Sequence, residues 1–172
     1  CLELTLNSAD ALKVIEDVSK KMGDQILVGA GTVLNANEAS DAIAAGAKFI
    51  ISPVMSIETI RKTKELGAVS IPGAFTPTEI FSAYSAGADI IKVFPGTSGP
   101  GFIKEVLAPL PFIPLMPTGG ISLQNLHEFK SAGAVAFGIG KSLVDTKQKA
   151  SDSYLQEIVR NAEKFMQAAN QA

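Results

Sequence analysis

The chain has 172 residues, 47% of them hydrophobic and 19% charged, and its 15 basic and 17 acidic side chains leave a formal net charge of −2. That length suits one domain with a real core. The charge balance excludes electrostatic binding to nucleic acid or to an anionic membrane surface, and no apolar run reaches the roughly 18 residues of a membrane span. The single cysteine, Cys1, cannot form an internal disulfide, and no signal peptide is visible, so the cytoplasm is the expected location.

The chain opens in Cys1-Leu2-Glu3-Leu4-Thr5-Leu6, which alternates like a strand already under way. Because it also begins without methionine, a preceding segment is expected. Alternation puts Leu2, Leu4 and Leu6 on one face and Glu3 and Thr5 on the other. The leucines suit a helix layer, which turns Glu3 inward. A helix is expected over 9–22, with Leu12, Ile15 and Val18 at helical spacing, and others over 57–66 (Ile57, Ile60, Leu66) and 123–131 (Leu123, Leu126, Phe129). Thr76-Pro77-Thr78-Glu79 carries a helix start, with Thr76 as N-cap, Pro77 at the first position and Glu79 closing a capping box. Residues 152–172 read as a terminal amphipathic helix with Leu155, Ile158, Val159, Phe165 and Met166 on one side.

An internal repeat organises these pieces. Gly46, Gly67, Gly87 and Gly133 each stand where a helix should stop and turn into a short apolar strand. From Gly23 the steps to Gly46, Gly67 and Gly87 are 23, 21 and 20 residues, and the last step, to Gly133, is two units long. The strands are expected near Cys1, Ile26, Phe49, Val69, Ile90, Pro114 and Ala134. Alternating strands and helices, with strands apolar on both faces, predict a parallel α/β fold, a (β/α)8 TIM barrel lacking its first strand-helix unit in this chain. The whole of 1–172 is then one domain. An open doubly wound sheet is the alternative, but Val28-Gly29-Ala30-Gly31-Thr32-Val33-Leu34 lacks the third glycine of a dinucleotide fingerprint.

Asp89-Ile90-Ile91-Lys92-Val93-Phe94-Pro95 places a lysine inside an apolar strand. Lys92 has three readings. It is an edge lysine facing solvent, one half of an ion pair with Asp89 or a distant carboxylate, or a reactive amine whose burial populates the neutral nucleophile. Alternation turns it inward, as it does Glu3. For Glu3 the alternatives are an exposed carboxylate at a frayed start and a structural salt bridge with Lys92. Such a bridge is often no more stable than apolar residues of like size, which favours function.

In a barrel of this class, catalytic groups lie at the C-terminal ends of strands, and a phosphate often binds between the last two βα loops. Thr118-Gly119-Gly120-Ile121-Ser122 and Gly138-Ile139-Gly140-Lys141-Ser142 fall in those places, as glycine-rich turns expected ahead of helices. Gly140-Lys141-Ser142 is not a nucleotide P-loop, because Val135 stands where the loop requires glycine. With one histidine, His127, and one cysteine, neither a Ser-His-Asp triad nor a zinc-type metal site is expected.

Taken in order, Glu3, the Gly29-Ala30-Gly31-Thr32 stretch, Ile51-Ser52-Pro53, Ile71-Pro72-Gly73, Thr76-Pro77-Thr78-Glu79, Lys92-Val93-Phe94-Pro95 and Pro117-Thr118-Gly119-Gly120-Ile121 resemble the 2-keto-3-deoxy-6-phosphogluconate (KDPG) / 4-hydroxy-2-oxoglutarate (KHG) aldolases. The resemblance runs from Cys1 to about Val144. It implies a (β/α)8 barrel, usually trimeric, that needs no metal or organic cofactor and handles a phosphorylated keto-deoxy sugar acid and pyruvate. By the same resemblance Lys92 forms the Schiff base, with Phe94 and Pro95 beside the substrate, and Glu3 is the general acid/base. Thr32 holds the pyruvate carboxylate, while Thr118, Gly119, Gly120, Gly140 and Ser142 contact the phosphate. The implied reaction is cleavage of KDPG to pyruvate and glyceraldehyde 3-phosphate, with 4-hydroxy-2-oxoglutarate as a further substrate.

One position departs from the family pattern: Asn7 stands where many members carry an arginine, and a neutral amide cannot give the bidentate, charge-assisted contact of a guanidinium. Leu6-Asn7-Ser8 is similar instead to the related 6-phosphogalactonate aldolases. The alternatives are therefore a galactonate aldolase of the same mechanism, a non-catalytic phosphometabolite-binding barrel, and an isomerase or epimerase using Glu3 as base.

Overall fold

A computed structural model describes residues 1–170. The chain forms two compact units, the first Cys1–Val93 and the second from Phe94 onward.

In the first unit, strands β1 (Leu2–Thr5), β2 (Val28–Gly31), β3 (Phe49–Ile51) and β4 (Val69–Ile71) pair in sequence order, all parallel. Helices α1 (Ala11–Met22), α2 (Ala36–Ala44) and α3 (Ile57–Glu65) connect them. Pro72 interrupts the fourth strand, which resumes as β5 (Gly73–Ala74) and pairs in parallel with β6 (Ile91–Val93) across α4 (Pro77–Ser85). A parallel neighbour with a helical crossover is what the repeat of glycine, strand and helix predicts. Gly46, Gly67 and Gly87 adopt φ of 110°, 77° and 102°, where a side chain would be strained, and so end their helices as expected. Gly23 differs: it ends α1 at φ −59°, in the right-handed region.

Helix starts follow local chemistry. The Asn35 and Ser56 side chains accept from the backbone N–H of Glu38 and Thr59, and Thr76 forms the full capping box with Glu79, with Pro77 at the first turn. Each such cap is worth about 1 kcal/mol. The leucine face of β1 does turn to the helices: Leu4 and Leu6 pack on a core of Ile15, Val28, Ala30, Val33, Ala39 and Ile50. The buried face of α3 departs from the one that apolar spacing predicts. Ile57 in α3 and Leu66 at its C-cap are exposed, and the buried stripe of the helix is Thr59, Ile60 and Thr63. Those threonines can face inward because the Thr63 hydroxyl donates to the Thr59 carbonyl at 2.8 Å, which satisfies it inside its own helix.

The second unit holds a 3₁₀ turn (Gly96–Ser98), α5 (Gly99–Leu107), β7 (Leu115–Pro117), α6 (Leu126–Ser131) and α7 (Asp152–Asn170). The strand expected near Ala134 is not a regular strand. Val135 and Gly138 donate backbone N–H groups to Leu115 and Pro117, and a single parallel bridge joins Thr118 to Gly138. The segment keeps a strand's direction without its length. A terminal helix, α7, forms over Asp152–Asn170, with 171 and 172 outside the described residues; of the apolar face expected for it Phe165 is buried, while Leu155, Val159 and Met166 stay exposed. Among the described residues no helix is long and apolar enough to cross a membrane.

Candidate active site

The two titratable groups singled out in the sequence lie in each other's electrostatic field. Lys92 is held on β6 by its backbone N–H donating to the Pro72 carbonyl at 2.9 Å, and its neighbours Ile91 and Val93 are fully buried on the opposite face. Lys92 itself is only 7% exposed, which disposes of the solvent-facing reading. Asp89 is engaged elsewhere, by Lys64 Nζ at 2.6 Å and by the Ser70 N–H at 2.8 Å. Burial pushes the Lys92 amine below the usual lysine range, and the negative charge of Glu3 partly opposes it. Burial pushes the Glu3 carboxyl above its usual range, partly offset by Lys92. Each group is thus moved toward its neutral form, the condition in which an amine attacks and a carboxyl can donate as well as accept.

Glu3 is placed by a contact the sequence reading missed. In the parallel pairing of β1 with β2, Thr5 lies opposite Gly31 and Glu3 opposite Gly29. A Cβ on Gly31 would overlap Glu3 Oε1 and stand 2.6 Å from Glu3 Cδ, so this glycine is the floor on which the carboxylate rests. The motif was visible, but its use requires the strand register. The next residue, Thr32, has φ 56°. A β-branched residue in the left-handed region is a strained outlier, and such outliers concentrate at functional sites. Thr32 and Asn7 both follow the C-terminal ends of their strands, as a catalytic rim requires. Asn7 is exposed in the turn after β1.

In the second unit, Thr118, Gly119, Gly120, Gly140 and Ser142, the five residues expected around a phosphate, line one cleft of about 480 Å³ together with Lys141. Gly119 and Gly120 take φ of 92° and 76°. The Asn125 side chain accepts from the Ser122 N–H and donates to the Gly120 carbonyl, both at 2.8 Å, and so fixes the turn. Phe94, 41% exposed, lies against Gly119; the exposed Pro95 leads into the 3₁₀ turn, where the Gly96 N–H donates to the Thr118 carbonyl at 2.7 Å. Gly96, outside every motif singled out in the sequence, and Gly138, the first residue of the second glycine loop, both stand where no side chain fits: a Cβ on the first would stand 2.6 Å from the Gly119 carbonyl oxygen, and one on the second would overlap Thr118 Oγ1.

Two details correct the sequence reading. The first loop precedes a helix of only six residues, α6, and the second precedes no helix but one turn over 141–143. Neither loop therefore sits on the N-terminus of a long helix. The Ser142 hydroxyl, moreover, donates to the Ile121 carbonyl at 2.6 Å.

With this geometry in place, comparison decides the family. The family model for KDPG and KHG aldolase matches residues 1–160. The chain belongs to that family, whose members are carbon–carbon lyases. It is 35% identical over 153 residues to the probable 2-dehydro-3-deoxy-6-phosphogalactonate aldolase of Rhizobium meliloti (strain 1021), covering 88% of this chain and 72% of that protein. The solved native KDPGal structure superposes with a TM-score of 0.90 at 32% identity, over 96% of this chain and 79% of the other. A KDPG aldolase from Legionella pneumophila, with pyruvate captured at low pH as a covalent carbinolamine intermediate, superposes with a TM-score of 0.78 at 26% identity, over 98% and 79%. The fold class read from the repeat, the (β/α)8 barrel, is that of the family.

Proposed function

We propose that this aldolase cleaves a 2-keto-3-deoxy-6-phospho sugar acid through a Schiff base on Lys92. The neutral Nζ attacks the C2 ketone, and the carbonyl oxygen, protonated from solvent, leaves as water to give an iminium. Glu3 takes the proton of the C4 hydroxyl. The electrons of the C3–C4 bond pass to the iminium, releasing glyceraldehyde 3-phosphate and leaving an enamine; protonation at C3 and hydrolysis return pyruvate and free Lys92. The protonated imine is the electron sink, so the reaction needs no metal or organic cofactor.

The observation that carries this reading is the buried Lys92 amine, shifted toward neutrality in the field of a half-buried Glu3. Support comes from the Legionella relative, in which pyruvate is held covalently. Incubation with pyruvate and borohydride, followed by peptide mass mapping, tests it. A pyruvyl adduct is expected on Lys92 and none in Lys92→Ala, which also loses cleavage. A binding protein or a base-only isomerase leaves no adduct, and that outcome sinks the mechanism.

KDPG is the substrate the motifs imply, with 4-hydroxy-2-oxoglutarate as a second. The galactonate epimer is favoured by Asn7 and by the likeness to the Rhizobium protein and the KDPGal structure. Cleavage rates on the two epimers discriminate; equal rates remove Asn7 as a mark of preference. A cytoplasmic homotrimer belongs to the same reading, and light scattering at working concentration checks the assembly.

A further inference from the structure

We propose that Lys141 supplies the cationic contact to the phosphate, and that Ser142 beside it is a clamp between two loops rather than an anion donor. This rests on the reading above that the substrate is phosphorylated.

A hydroxyl has one proton to give. Ser142 gives its proton to the Ile121 carbonyl at 2.6 Å, tying the turn after Gly140 to the loop after β7. What it leaves for a ligand is lone pairs, which repel an anion's oxygens. A phosphomonoester near pH 7 carries roughly −1.5 to −2 charges and three acceptor oxygens, so it needs donors and a countercharge. Long helices often supply that countercharge from their N-termini. Here the first loop leads into a six-residue helix and the second into a single turn, so the helix contribution is largely missing.

Among the residues lining the cleft, Lys141 is the one that carries charge. Its backbone is fixed by the Leu143 and Val144 N–H groups, which donate to the Gly140 carbonyl at 2.8 and 3.0 Å. Its exposed side chain is a flexible stem ending in three donors, suited to meeting a phosphate as a point charge. A contact of that kind is roughly twice as strong as one between neutral groups.

The test uses the full chain as wild type, Lys141→Gln, Lys141→Arg and Ser142→Ala, with inorganic phosphate as the probe in an equilibrium titration. Lys141→Gln should weaken phosphate binding about tenfold, and its kcat/KM for a phosphorylated substrate relative to the unphosphorylated sugar acid should fall by a like factor, through KM. Lys141→Arg should stay within about threefold of wild type, since the charge remains. Ser142→Ala should lower the melting temperature and weaken phosphate binding less than Lys141→Gln does. Unchanged affinity in Lys141→Gln overturns the assignment. So does a Ser142→Ala variant that melts normally and loses affinity as Lys141→Gln was expected to. Pyruvate trapping on Lys92 reports separately on the aldolase mechanism, so the two failures cannot be confused.

Discussion

Gly31 and Gly140 both belong to glycine motifs, yet they do opposite things. At Gly31 an added methyl group would collide with the Glu3 carboxylate; at Gly140 it would meet nothing within 4 Å. The first unit leaves little room around its candidate pair: a buried amine, a half-buried acid, and a glycine that gives the acid its resting place. The second unit offers an open cleft between two turns, with an exposed cation at its edge. Proton transfer is sensitive to errors of a fraction of an ångström, whereas holding a charged group tolerates slack. The two regions should therefore respond differently to the same kind of substitution.

The largest effect among the tests of this contrast is expected from Glu3→Gln. The amide fills the same space but moves no proton, so kcat should fall on the order of 10²–10⁴-fold. The same variant tests the field between the two groups. Burial lowers the proton affinity of Lys92 and the Glu3 charge raises it. Removing the charge therefore lowers the amine's pKa further, and the pH midpoint for trapping pyruvate on Lys92 should move down. A midpoint that moves up means that Glu3 does not act on Lys92 as drawn.

Gly31→Ala comes next. Displacing the Glu3 carboxylate by about 1 Å costs on the order of 10²-fold in kcat, by the general penalty for misplaced catalytic groups. Imine formation at Lys92 should survive, while solvent exchange of the pyruvate methyl protons, which needs the acid/base, slows with kcat. If both decline in step with a falling melting temperature, Gly31 serves the fold and not the carboxylate.

Much of this was legible in the sequence, and the reason is local. Glycine stops at Gly46, Gly67 and Gly87, the capping box at Thr76 and the alternation around Glu3 and Lys92 each depend on a few neighbouring residues, and each appears as read. What escaped depends on partners distant in sequence. The role of Gly31 needs the register of β1 on β2, and the commitment of Ser142 to Ile121 needs two loops to be brought together. The strand near Ala134 failed for a related reason: its apolar residues predict a strand, but only two donors and one bridge of the ladder form. Buried threonines in α3 mislead any reading of hydrophobic periodicity, because their hydroxyls are satisfied inside the helix.

Thr32 offers a test of smaller size in the first unit. At φ 56° its left-handed backbone costs about 1–2 kcal/mol, which Thr32→Gly removes. The glycine returns about 0.5–1 kcal/mol of that to the unfolded chain's entropy, so a net stabilisation of up to about 1 kcal/mol is expected. For a chain of this size that raises the melting temperature by about 2–4 °C. Affinity for pyruvate should fall at the same time, since the hydroxyl is gone. A variant that melts lower shows that the conformation at Thr32 is supported by contacts rather than held under strain.

The smallest effect is expected at Gly140. Its φ is not among the positive values, and open space surrounds the position of a Cβ. Gly140→Ala should therefore change stability by no more than about 0.5 kcal/mol. Its contribution to an anion can come only from the backbone, which alanine keeps. Phosphate affinity should accordingly stay near that of wild type, in contrast to Lys141→Gln, one residue away. A large loss in Gly140→Ala would mean that the turn must open or reshape around its ligand, needing freedom that only glycine allows. The second unit would then be as exacting as the first, and the contrast between them would fail where it was expected to be plainest.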